Sequence, residues 1–276
     1  ELARLVAETQ PSAVLWNRRY GPARRIDERI KKSLKADGVD VQSFNASLLV
    51  DPCDIRTGAG DSYTVFTPFW KALQQNYASP EANPEPRKIE SFGNPRSDIL
   101  DDWKLHPSKP DWSGGIDREW TPGEPGARKR LRDFLQNQVA GYAAGRDRPD
   151  EDRTSRLSPH LRFGEIGPHQ VWRAAQHAQD AGDAPVRDIQ KFLSELAWRD
   201  FSWQLLYHDP QMGHLSWRRQ FEQVEWRAGS KKELEAWRRG RTGYPIVDAG
   251  MRELWTTGYM HNRVRMNVAS LLAKDL

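Results

Sequence analysis

Cysteine is almost missing: Cys53 is the single thiol in 276 residues. One thiol excludes an internal disulfide framework and fits a reducing compartment. No apolar run approaches the length of a membrane span, and no secretory leader pattern is present. These absences point to a soluble, cytoplasmic chain with no membrane partner. Charge of one sign is also scarce. A net charge of +4 and a sequence pI of about 9.2 permit a polyanionic partner without demanding one. The Gly-rich residues 57–61 lack the Walker lysine pattern and the spacing of a dinucleotide fingerprint, so they read as a connector. His261 has no Cys or His partner at metal-ligand spacing, which argues against a metal site. No Ser-His-Asp or nucleophilic-Cys arrangement is supported by spacing.

What is present begins with a β-α-β pattern. Residues 13–16 are a short apolar run, Pro22 can open a helix to about Ala36, Asp37-Gly38 signals a turn, and residues 39–44 alternate like a strand. Such a parallel pair belongs to a larger sheet, and residues 1–12 have room for one helix. The chain is therefore expected to begin inside a domain. Residues 65–70 are aromatic-rich, and residues 79–118 read as a long surface linker. Beyond Glu119 the periodicity is helical, with helices predicted at 126–144 and 168–181 and no strong strand signal. The C-terminal part reads as all-α.

Three stretches carry chemistry. Thr154, Ser155, Arg156 and Ser158 place three hydroxyls and a guanidinium within five residues. Ser158 is a good N-cap ahead of Pro159, and a helix start suits phosphate. An ordinary polar loop with a Ser-Pro cap is the alternative. In a helix predicted over 188–207, Leu193, Leu196, Ala197 and Phe201 form an apolar stripe, while Glu195, Trp198, Arg199 and Ser202 share another face. That second face is either a surface Glu–Arg pair beside an edge tryptophan or a recognition surface offering a stacking ring, a guanidinium and a carboxylate. A helix opened by Pro245 and closed by Gly258 is followed by one expected to carry Tyr259, Asn262, Arg263 and Met266 on one face. The 12 tryptophans are either core or a collection suited to electron transfer and base stacking.

Four ordered motifs, Thr154 to Ile166, Phe192 to Phe201, Gly240 to Ala249 and Tyr259 to Met266, together with Trp16 to Tyr20 and Phe66 to Trp70, closely resemble the DNA photolyase/cryptochrome family. The resemblance implies an α/β plus all-α fold: a partial Rossmann-like antenna domain over 1–75, an interdomain linker over 76–118, and an incomplete helical FAD-binding and DNA-binding domain over 119–276. It implies FAD held by Tyr142, Thr154, Ser155, Arg156, Leu157, Ser158 and Phe192, with an antenna of methenyltetrahydrofolate or deazaflavin type also possible in this family. Glu195, Trp198, Asn262 and Met266 match lesion-pocket residues. Arg146, Glu195, Trp198, Arg199, Asn262 and Arg263 match DNA contacts, and Trp226 matches the surface end of an electron-transfer chain.

The resemblance further implies a monomeric lyase acting on UV-damaged DNA. Met260-His261-Asn262-Arg263 resembles the class I, cyclobutane-dimer branch. A cryptochrome-type blue-light receptor is the alternative function. The family pattern continues beyond Leu276, so the chain reads as part of a longer protein. It is expected to leave Val268, Leu271 and Leu272 open to solvent and, in isolation, to purify colourless and repair nothing.

Overall fold

The computed structural model describes residues 1–276 except 82, 85, 90–92, 94, 227 and 228. A first helix, α1 (Leu2–Thr9), precedes β1 (Ala13–Asn17), α2 (Arg24–Ala36) and β2 (Asp40–Phe44). The strands pair in parallel from Ala13↔Asp40 to Asn17↔Phe44. Leu34 of α2 and Val41 of β2 are buried, which seats the helix on the sheet. Gly38, at φ +83°, makes the turn between them in a conformation that glycine adopts without strain.

The aromatic run at 65–70 opens α3 (Phe66–Asn76), whose Phe69 and Leu73 are fully buried. They join a core that also holds Leu49, Ile55, Leu131, Phe134, Ile189, Leu193 and Phe201. One core therefore runs from the N-terminal part into the helical part. Between α3 and the helical part the described residues carry only a 3₁₀ turn (Leu100–Trp103) and the short α4 (Gly114–Glu119).

The helical part comprises α5 (Glu124–Asn137), α6 (Tyr142–Gly145), α7 (Ser158–Phe163), α8 (Pro168–Asp180), α9 (Val186–His208), α10 (Lys231–Arg238), α11 (Pro245–Thr257) and α12 (Asn262–Ser270). The single helix expected over 126–144 is in fact two. Gly141, at φ +83°, breaks it, and Asp188 fixes the break by accepting the Gly141 and Ala143 amides at 2.8 Å each. That tertiary cap sits at the start of α9, where sequence periodicity does not reach.

Two further expectations are corrected. Ser158 is the first helical residue and not the cap: Leu157 precedes it in right-handed conformation, and no side chain caps α7. The turn is made instead by Arg156, whose φ is +50°. Tyr259 also lies ahead of α12 and not on it, and His261 is the cap, its Nδ1 accepting the Arg263 amide at 3.2 Å.

At the C-terminal side, Val268 and Leu271 are buried, contrary to the expectation that they lie open. They pack with Val247, Met251, Met260 and Val264 under Trp237, Leu254 and Leu276, while Leu272 remains exposed. The Trp237 indole locks this second cluster by donating to the Val268 carbonyl at 3.0 Å.

Candidate cofactor and DNA-facing site

Helix α9 is the spine of the site. Phe192, Glu195, Leu196, Arg199 and Trp203 recur at helical spacing and form one wall of a cleft of about 750 Å³. The opposite walls come from the 18–23 segment, Tyr142, Ser155, Leu157, Ser158, Leu161, Arg162 and Val171. Phe192 is held edge-on to Tyr142 and tilted against Phe134, at centroid distances of 5.7 and 4.8 Å. Burial pushes the Tyr142 phenol up to about 12, so it is a neutral donor at neutral pH.

A second cleft, of about 540 Å³, adjoins the first. Arg146, Thr154, Arg156, Tyr259, Met260, Asn262 and Arg265 line it, and Tyr142, Ser155, Leu157, Ser158, Arg162 and Glu195 belong to both clefts. These six shared residues form the partition between the two spaces.

Charges at the partition are chained. Glu195 receives Arg146 Nη2 at 3.0 Å and Lys191 Nζ at 2.8 Å. Arg146 Nη1 reaches Asp147 at 2.9 Å, and Arg263 Nε reaches the same Asp147 oxygen at 2.9 Å. The Arg263 hydrogen bond holds the Asp147 carboxyl below the ordinary carboxylate range. His261, buried beside this chain, is lowered by burial. Asn262 is exposed at the start of α12, and Met266, also exposed, places its sulfur 3.5 Å from Arg263 Nη1.

The structure brings Tyr142, Ser155, Leu157, Ser158, Phe192 and Glu195 together around the larger cleft, and Asn262 joins Glu195 around the smaller one. The other expected site residues are placed differently. Arg146 is buried between Glu195 and Asp147 and lines the smaller cleft. Arg199 donates to the Ser47 carbonyl and lies 3.6 Å from Asp200, so it faces the larger cleft and the N-terminal part, and burial lowers its pKa. Trp198 lines neither cleft, because its ring lies parallel to Phe66 at 3.7 Å.

Thr154 and Arg156 line only the smaller cleft. The Thr154 hydroxyl meets the Tyr259 hydroxyl at 2.7 Å, and the Arg156 guanidinium is committed to Glu119 and Asp152 at 3.2 and 3.3 Å, over the Tyr259 ring. Trp226 is 63% exposed after a 3₁₀ turn (Arg219–Gln223), and no ring contact to it is found among the described residues.

Sequence reasoning missed Arg162, Asp147, Lys191 and Trp203. Arg162 is exposed at the rim of both clefts and has no ion-pair partner among the described residues. Its position one helical turn beyond Ser158 was the available signal. Among the described residues no group of His, Cys, Asp and Glu could hold a metal ion, and no helix is long and apolar enough to cross a membrane.

A cleft with aromatic and aliphatic walls, two serine hydroxyls and, at its mouth, a guanidinium without an ion-pair partner among the described residues suits a large ligand with flat and anionic parts. The comparisons narrow that class. Residues 1–87 match the family model of DNA photolyase, and residues 192–276 match the FAD binding domain of DNA photolyase. The chain is 45% identical over 275 residues to a deoxyribodipyrimidine photo-lyase of Agrobacterium fabrum, covering 99% of this chain and 57% of that protein. It is 32% identical over 285 residues to Cryptochrome-1 of Arabidopsis thaliana, covering 99% of this chain and 41% of that protein.

The crystal structure of a class III photolyase from Agrobacterium tumefaciens superposes with a TM-score of 0.92 at 45% identity, covering all of this chain and 57% of that one. The chain belongs to the DNA photolyase/cryptochrome family and spans a little over half the length of these photolyases. The Agrobacterium tumefaciens relative is a class III photolyase, whereas the Met260–Arg263 motif resembles the class I branch; the family is common to both.

Proposed function

We propose that this chain carries much of the cofactor-facing and substrate-facing surface of a light-driven lyase that repairs cyclobutane pyrimidine dimers in DNA. The observation that carries the reading is the position of Glu195. It stands in the partition between a cleft sized for a large flat ligand and a second cleft that opens toward exposed Asn262. The relatives named deoxyribodipyrimidine photo-lyase support the same reading.

The larger cleft fits FAD. Tyr142, Leu157 and Phe192 offer apolar walls, Ser155 and Ser158 offer hydroxyls, and Arg162 offers an uncommitted positive charge. Thr154 and Arg156 support the loop that carries the serines. Reduced FAD held there would supply one-electron chemistry to the dimer. The chain's own residues supply geometry and electrostatics. Arg146 and Lys191 hold the two Glu195 oxygens, which fixes the carboxylate where it can hydrogen-bond a flipped-out dimer. Flipping costs about a few kcal/mol, less for a poorly stacked lesion. Asn262 and Met266 present the lesion side, and Arg263 meets the DNA backbone. Trp226 serves as the exposed end of an electron-transfer route, and the N-terminal part is the place for an antenna.

The test is blue-light repair of a dimer-containing oligonucleotide by the flavin-loaded protein. Glu195→Ala should lower repair per absorbed photon while the visible spectrum of bound flavin is kept. A flavin-loaded protein that shows no light-dependent repair would remove the proposal.

A further inference from the structure

Several aromatic side chains that the clefts leave unused form one continuous array. The Trp198 ring lies parallel to Phe66 at 3.7 Å, and Phe66 is parallel to Trp70 at 6.5 Å. Trp70 meets Trp172 edge-on at 5.9 Å, and Trp172 meets Tyr77 edge-on at 5.0 Å. The array ends in a hydrogen bond of 2.5 Å between Tyr77 Oη and His169 Nδ1. Three helices create it: Phe66 and Trp70 lie in α3, which Tyr77 caps, His169 and Trp172 sit three apart on α8, and Trp198 lies on α9. Trp198, at the other end, is 41% exposed, whereas Trp172 is buried and its indole N–H finds no partner among the described residues. Packing alone does not call for an unpaired indole donor in a core, where it costs free energy that a phenylalanine would not.

Indole and phenol are the side chains that most readily lose one electron, and adjacent rings in contact pass such a vacancy along. A phenol becomes a stable electron donor only when its proton leaves as the electron does. That requires a neutral base within hydrogen-bond reach. Burial lowers the His169 imidazole from its ordinary value, which keeps it neutral and ready to accept a proton. Burial pushes the Tyr77 phenol up to about 12, so the proton stays on oxygen until oxidation.

We propose that Tyr77 and His169 form a proton-coupled redox terminus, connected through Trp172, Trp70 and the Phe66 spacer to Trp198, for a diffusible oxygen-centred radical arriving from solution as the one-electron oxidant. The oxidant takes one electron from the Trp198 indole and is reduced by one. Electrons from Trp70, Trp172 and finally Tyr77 refill each vacancy in turn. The Tyr77 O–H bond breaks as the last electron leaves, and its proton goes to His169 Nδ1, leaving a neutral tyrosyl radical beside an imidazolium. A thiolate in solution returns one electron and becomes a thiyl radical, and the proton goes back from His169 Nδ1 to Tyr77 Oη. The inference is independent of the flavin reading, since neither cleft takes part.

Flash oxidation of this chain with a photoexcited ruthenium polypyridyl complex and a sacrificial cobalt(III) acceptor tests it, with radicals followed by transient absorption and electron paramagnetic resonance. The native protein should yield a tyrosyl signal that rises more slowly in deuterated water. Tyr77→Phe should lose most of that signal and leave a longer-lived indole radical. Trp172→Phe and His169→Gln should slow the tyrosyl rise, with circular dichroism checking that each variant folds. No tyrosyl signal in the native protein, or an unchanged one in Tyr77→Phe, would overturn the proposal. So would an unchanged rise in a folded Trp172→Phe. Should His169→Gln not fold, the isotope effect decides the proton step, and its absence counts against it.

Discussion

The two clefts that share Glu195 differ in how far their side chains are already satisfied. The larger is walled by Leu157, Leu161, Val171, Phe192 and Leu196, with arginines at its edges. It offers apolar surface that a ligand can cover. The smaller is walled by groups that hold one another: Thr154 with Tyr259, Arg156 with Glu119 and Asp152, and Arg146 with Glu195. A ligand entering there must exchange partners. Gain in the first cleft comes from burial and in the second from replacement, so the first favours affinity and the second selectivity.

The largest expected effect comes from the first cleft. Phe192→Ala removes a buried ring that touches Phe134 and Tyr142 and should cost about 3–5 kcal/mol in urea unfolding. It should also reduce flavin retention. A variant as stable as the parent would show that this wall is not core. Next, Arg146→Ala leaves Glu195 with Lys191 alone and should cost about 2–3 kcal/mol. Combined with Glu195→Ala in a double-mutant cycle, it should show coupling of about 0.5–3 kcal/mol; additivity would break the picture of a chained partition.

Asp200 probes the seam where the N-terminal part meets α9. It accepts the Leu49 and Val50 amides at 2.5 and 3.2 Å, and burial pushes its carboxyl up to about 7. A folded-state value above the unfolded one means that the folded state holds the extra proton. Stability from this group is greatest below about pH 4 and falls as the pH rises toward about 7. Asp200→Asn keeps an acceptor and should remove that component from urea midpoints measured across the range. An identical pH profile would refute the assignment. The smallest effect on stability is expected for Arg263→Ala, within about 0.5 kcal/mol because the Asp147 pair is exposed. The log–log salt dependence of DNA binding should nevertheless flatten by roughly 0.9; an unchanged slope would detach Arg263 from the DNA backbone.

The spine was legible because α9 repeats at 3.6 residues: Leu193, Ala197 and Phe201 are buried, and Phe192, Glu195 and Arg199 share a cleft wall. The parallel pair was legible from strand alternation and the Asp37-Gly38 turn. What stayed hidden depends on partners distant in sequence. A sequence shows that Arg146 and Arg199 are charged, but not that Glu195 and the Ser47 carbonyl receive them. It shows an aromatic at 198, but not Phe66 lying across it. The break at Gly141 depends on a carboxylate 47 residues away. Trp237, roofing the second cluster, lies outside the periodicity of the residues it covers.

The backbone of Arg156 has a consequence for how ligands arrive. A non-glycine residue in left-handed conformation costs on the order of 1–3 kcal/mol. Glu119, Asp152 and the Tyr259 ring hold it there. The curvature that presents Ser155 and Ser158 to both spaces is therefore set during folding. Association need not wait for this loop to search for its shape, and less entropy is lost on capture. In kinetic terms the 154–158 loop is preorganised, and encounter with a ligand is limited by its approach to the cleft and not by rearrangement of that backbone.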